Sequence, residues 1–148
     1  MKPVLQALVL ADRVYNDAQS GKKIIAGTFT RFWFSKAPAY KEIDQPDGTK
    51  RRLLAGGLQA GSPWMYLSLT DVIDGTKLIL QFVKLEDQKI LFGTEIILKC
   101  DDRLKIVEVV MPLPMLPING KGIYAFEVMC DGEMLGSYRI VADEMTIT

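Results

Sequence analysis

Residues 4–10 are almost uninterruptedly apolar, and residues 22–34 are crowded with β-branched and aromatic side chains. Between them Asn16-Asp17-Ala18-Gln19-Ser20-Gly21 is turn chemistry, so the pair predicts a hairpin. The same pattern recurs three times. Runs 64–70 and 78–83 flank Asp74-Gly75, runs 90–99 and 104–110 flank Asp101-Asp102, and runs 123–129 and 134–141 flank Asp131-Gly132. Helices are disfavoured because the apolar segments are short, β-branched and broken by turn residues about every ten positions.

The pattern therefore predicts an all-β chain of about eight strands. Laid flat, such strands would leave an apolar face in water, whereas two antiparallel sheets packed face to face bury it. A single two-sheet sandwich is the expected architecture, with a closed barrel as the alternative. Tyr124 enters its strand just after the irregular Pro112-Leu113-Pro114 and Pro117 stretch. That placement suits either a tyrosine corner, whose hydroxyl bonds back to upstream backbone in immunoglobulin-like sandwiches, or an ordinary strand tyrosine.

The interval 35–63 breaks the rhythm. Pro46-Asp47-Gly48 is a turn signal between 39–43 and 51–55, which favours a protruding hairpin over a short helix. It carries Lys50-Arg51-Arg52 beside Leu53-Leu54, with Trp33, Phe34, Tyr40 and Trp64 near its ends. Arginine and aromatic residues are enriched at interface centres, and functional loops often project from rigid scaffolds. Tyr40, Arg51, Arg52, Leu53 and Leu54 are accordingly the candidate partner-binding residues, facing a protein partner or a second copy of the chain. Solvated charges and core aromatics are the plainer explanation of the same residues.

At 148 residues the chain suits one domain, and its apolar content of 49% is that of a globular protein. Eighteen basic and eighteen acidic residues cancel, so no global field favours nucleic acid. No stretch approaches the roughly eighteen to twenty apolar residues of a membrane span, and the apolar start is short for a signal peptide. The expected location is cytoplasmic. Cys100 and Cys130 are expected as reduced thiols, although each closes a run at an acidic turn and a bridge stays geometrically open.

The chain has no histidine, which removes serine- and cysteine-histidine catalysis and imidazole metal sites. No local carboxylate-pair or lysine motif replaces them, so a non-enzymatic protein is expected and no cofactor is required. If all eight strands alternate in direction, Asp12, Asp17, Asp71, Asp74, Asp101, Asp102 and Asp131 share one end of the sandwich. Calcium takes six to eight oxygen ligands in irregular geometry, which makes Asp71, Asp74, Asp101, Asp102 and Asp131 candidate Ca²⁺ ligands. Aspartate also favours turns for its own backbone hydrogen bonding.

Several stretches resemble an uncharacterised family of small bacterial β-sandwich proteins of immunoglobulin/C2-like type. They are Ala11-Asp12-Arg13-Val14-Tyr15, residues 20–29, Tyr66-Leu67-Ser68-Leu69-Thr70-Asp71, Pro112-Leu113-Pro114, residues 122–128, Asp131-Gly132-Glu133 and Leu135-Gly136. The resemblance spans nearly all of residues 1–148 and implies a single sandwich domain with an insertion at about 41–60. It implies no activity, ligand or catalytic residue.

Overall fold

The computed structural model describes residues 2–34, 40–54 and 63–144, and among them every regular element is a strand. One sheet has the order β2-β1-β6-β9, formed by β1 (Val4–Asn16), β2 (Lys23–Thr28), β6 (Trp64–Thr70) and β9 (Val107–Pro112). The other has the order β3-β11-β10-β7-β8, formed by β3 (Arg31–Phe34), β7 (Lys77–Lys84), β8 (Lys89–Ile97), β10 (Gly122–Cys130) and β11 (Glu133–Glu144). The remaining strands, β4 (Tyr40–Asp44) and β5 (Lys50–Leu54), form a separate two-stranded ribbon.

Alternation along the strands explains why the two sheets pack together. Leu10, Met65, Leu67 and Leu69 of the first sheet and Leu78, Leu80, Phe82, Tyr124, Phe126, Val128 and Ile140 of the second are buried in one shared core. Many neighbouring strand positions, such as Tyr66, Ile79, Gln81 and Glu127, remain wetter, the period-two signature of a sheet with one packed face, although Ser68, Val83 and Ala125 are buried as well. Phe82 lies at the centre, stacked on Tyr124 at 5.3 Å and on Phe126 at 4.7 Å between ring centroids. Such offset aromatic pairs add about 0.5–1.5 kcal/mol beyond the area they bury.

The β1–β2 and β10–β11 hairpins agree with the sequence pattern. The other two expected hairpins do not form. The chain crosses between sheets from β6 to β7 and again from β8 to β9, and the tight hairpin is β7–β8. Burial explains the crossings, because Val72 and Leu98, next to the supposed hairpin turns, are both almost fully buried in the core. The β7–β8 turn contains no Gly or Pro; Gln88 itself takes φ +56° while its side chain donates to the Leu85 carbonyl at 2.9 Å.

A second correction concerns residues 22–34. They form two strands, because the chain leaves the first sheet after Thr28, reverses through Phe29-Thr30 and enters the second sheet at Arg31. Two hydrogen bonds fasten the crossing: Tyr138 Oη to the Phe29 carbonyl at 2.6 Å and Val141 N to the Thr30 carbonyl at 2.8 Å. The outcome is that β3 runs parallel to β11, so the five-stranded sheet is mixed rather than purely antiparallel.

Tyr124 fills the corner role. Its hydroxyl donates to the Gly120 carbonyl at 2.6 Å and accepts from the Asn119 backbone N–H at 2.9 Å. The side chain is fully buried, and that burial raises the hydroxyl's pKa above its ordinary value.

Candidate interaction surfaces

The β4–β5 ribbon is built by its turn. Gly48 N donates to the Gln45 carbonyl at 3.0 Å, with Pro46 at the second turn position where its fixed φ is favourable. Gly48, at φ +86°, then returns the chain so that Gln45 N reaches the Thr49 carbonyl at 2.9 Å. The Asp47 carboxylate accepts from Thr49 N at 2.9 Å and Thr49 Oγ1 at 2.5 Å. These bonds, the hydroxyl's first, lower the Asp47 pKa below the usual carboxylate range.

Register sets Glu42 opposite Arg52 and Asp44 opposite Lys50 across the ribbon. The alternate pairs, Lys41 with Leu53 and Ile43 with Arg51, each join a basic residue to an apolar one. Tyr40 is opposite Leu54. The five residues proposed from sequence, Tyr40, Arg51, Arg52, Leu53 and Leu54, thus share one ribbon, while their side chains and the flanking parts of the 35–63 interval lie outside the described residues. Among the described residues β4 and β5 pair only with each other.

The acidic end of the sandwich is smaller than strand parity implies. Thr70 pairs with Val4, Val107 with Leu69, Lys77 with Ile97 and Ile79 with Met129, which places Asp71, Asp74, Asp101, Asp102 and Asp131 at one end. Asp17 occupies the opposite end, in the β1–β2 turn, and Asp12 sits within β1 across from Gly27. The reversal between β2 and β3 accounts for the change, since it adds one direction change that the eight-strand pattern lacks.

Each remaining aspartate but Asp131 has a local contact. Asp74 Oδ1 accepts from Cys100 N at 2.9 Å, Asp102 Oδ1 accepts from Leu104 N at 3.0 Å, and both Asp101 oxygens lie 3.0 Å from Lys105 Nζ. Asp71 Oδ1 is 3.8 Å from Arg103 Nε, and Asp71 and Asp131 both hold left-handed turn conformations at φ +55° and +50°. Among the described residues no three His, Cys, Asp or Glu side chains converge as a metal-binding group. A cleft of about 530 Å³ opens here, lined by Asp74, Lys99, Cys100, Asp101, Lys105, Ile106 and Val107.

Cys100 and Cys130 are both free thiols. Burial, with Asp131 beside it, pushes the Cys130 thiol pKa upward.

No helix among the described residues is long and apolar enough to cross a membrane. No protein-family model and no curated protein matches this sequence.

Proposed function

We propose that this chain is a non-enzymatic interaction or assembly module of the cytoplasm, with the β4–β5 ribbon as its partner-facing surface and an immunoglobulin/C2-like sandwich as its scaffold. The observation that supports the reading is that, among the described residues, β4 and β5 pair only with each other. A two-stranded hairpin is marginally stable in water at best, so one that joins neither sheet gains most from a surface that packs against it. Its register adds basic–apolar pairs, a composition suited to an apolar partner surface bordered by acidic groups.

The test is the double substitution Arg51→Asp and Leu54→Asp, read by affinity capture and by solution mass. Loss of captured partners or of self-association, with an unchanged melting temperature, supports the reading. Unchanged partners and unchanged mass remove it.

A second reading, Ca²⁺ or small-ligand binding at the acidic end, is favoured by the five aspartates at that end of the sandwich, two of which, Asp74 and Asp101, line the 530 Å³ cleft. Metal binding there would require Asp74, Asp101 and Asp102 to exchange their present hydrogen bonds for an ion.

A further inference from the structure

The two sheets end in four edge strands, and proteins normally blunt such edges with short strands, proline, charge or kinks. β3 has only four residues. β2 has six, is entered through Lys22-Lys23, and is kinked at Gly27. β9 has six and ends in Pro112. β8 is the longest of the four: nine residues, no proline, a β-bulge at Leu91 near its start, Lys89 and Glu95 as its only charges, and Ile90 and Ile97 at 58% and 63% exposure.

Hydrogen bonding identifies which backbone groups of β8 are open. Leu98 N donates to the Thr76 carbonyl at 2.8 Å and the Leu98 carbonyl accepts from Gly75 N at 2.9 Å, so Leu98 bonds toward the β7 side. In an antiparallel ladder the bonding direction alternates, so Ile96, Thr94 and Phe92 also bond toward β7. The N–H and C=O groups of Gly93, Glu95 and Ile97 therefore point to the open edge. Among the described residues no strand pairs there.

We propose that β8 pairs antiparallel with β8 of a second copy across a two-fold axis at Thr94, joining the two five-stranded sheets into one. This register sets Gly93 opposite Glu95 of the second copy as hydrogen-bonded pairs, which uses the open groups of both. Thr94 meets Thr94 of the second copy, and Phe92 meets its Ile96 twice by symmetry, both favourable cross-strand combinations. The adjacent registers are worse. An axis at Glu95 sets two carboxylates against each other, and an axis at Gly93 brings the Leu91 bulge two positions from the axis, whereas the axis at Thr94 leaves it three positions away, opposite Ile97. A two-fold contact also closes on itself, consuming both open edges instead of propagating.

This contact is independent of the β4–β5 ribbon, and its test separates the two. Glu95→Pro removes one edge-facing N–H per copy without touching a bond to β7, and proline is tolerated at such positions. Sedimentation should give twice the chain mass for the native protein, and Glu95→Pro should raise the dissociation constant about thirtyfold, the effect of losing two hydrogen bonds of ~1 kcal/mol each. The melting temperature should be unchanged when both proteins are compared as monomers at low concentration. Thr94→Cys, in a background of Cys100→Ser and Cys130→Ala, should form an intermolecular disulfide under mild oxidation, because facing residues of a non-hydrogen-bonded pair are within bridging distance. Glu95→Cys in the same background should not.

A native protein that stays monomeric at its highest soluble concentration overturns the proposal, as does equal cross-linking by both cysteine variants. A dimer that survives Glu95→Pro but not Arg51→Asp with Leu54→Asp overturns it in favour of the ribbon. If Glu95→Pro fails to fold, the cysteine pair decides alone.

Discussion

Removing the Tyr124 hydroxyl gives the sharpest test of the fold. In Tyr124→Phe the ring keeps its stack on Phe82, so the change isolates two hydrogen bonds: the donation to Gly120 and the acceptance from Asn119. Each such bond contributes about 1 kcal/mol net, and leaving the part-buried Asn119 N–H without a partner costs about 1–3 kcal/mol. The expected loss is about 2 kcal/mol. For a chain of this length that lowers the melting temperature by about 4–8 °C, measurable by calorimetry, with a matching fall in the urea midpoint at constant m. The same hydroxyl carries a pH signature. Its folded pKa is raised, so the unfolded state ionises first; the neutral hydroxyl's contribution is intact below about pH 10 and is lost as pH climbs from there through the folded value. The Phe variant should lose that part of the native protein's alkaline destabilisation. A variant as stable as the native protein, with the same alkaline limb, would refute the corner's structural role.

Three further outcomes follow from the geometry. Gly27→Ala meets both a left-handed backbone and the Asp12 carboxylate, whose Oδ2 lies 2.5 Å from the added methyl, and should destabilise by about 1–2 kcal/mol in urea unfolding; an unchanged midpoint would contradict the left-handed conformation at Gly27. Phe82→Ala removes the central ring of the stack and should cost about 3–5 kcal/mol, read by chemical denaturation. Calorimetric titration with calcium should release heat and raise the melting temperature if the acidic end binds the ion; a flat titration and an unmoved melting temperature at millimolar calcium would eliminate the metal reading.

The candidate surfaces were legible in the sequence to different depths. Pro46-Asp47-Gly48 marks the ribbon's turn directly, since proline and glycine dictate backbone angles locally. The acidic end was only partly visible, because its membership depends on how often the chain reverses. The β8 edge was not visible, since nothing within residues 89–97 announces that the strand lies outermost in its sheet.

What the sequence determined by itself is whatever two neighbouring residues can enforce: strand alternation, the Asp131-Gly132 turn that closes β10–β11, and the tyrosine that follows a proline-rich approach. The tertiary structure decided which strands meet. Residues 64–70 and 78–83 look like a hairpin because a turn lies between them, yet they enter different sheets, since burying Val72 and Leu98 at the end of the core carries the chain across. Residues 22–34 look like one strand because their side chains favour extended backbone throughout; the split at Phe29-Thr30 is fixed by Tyr138 and Val141, more than a hundred positions away in the chain. Backbone preference is local and can be read along the sequence, whereas partner choice depends on which apolar faces can be buried together.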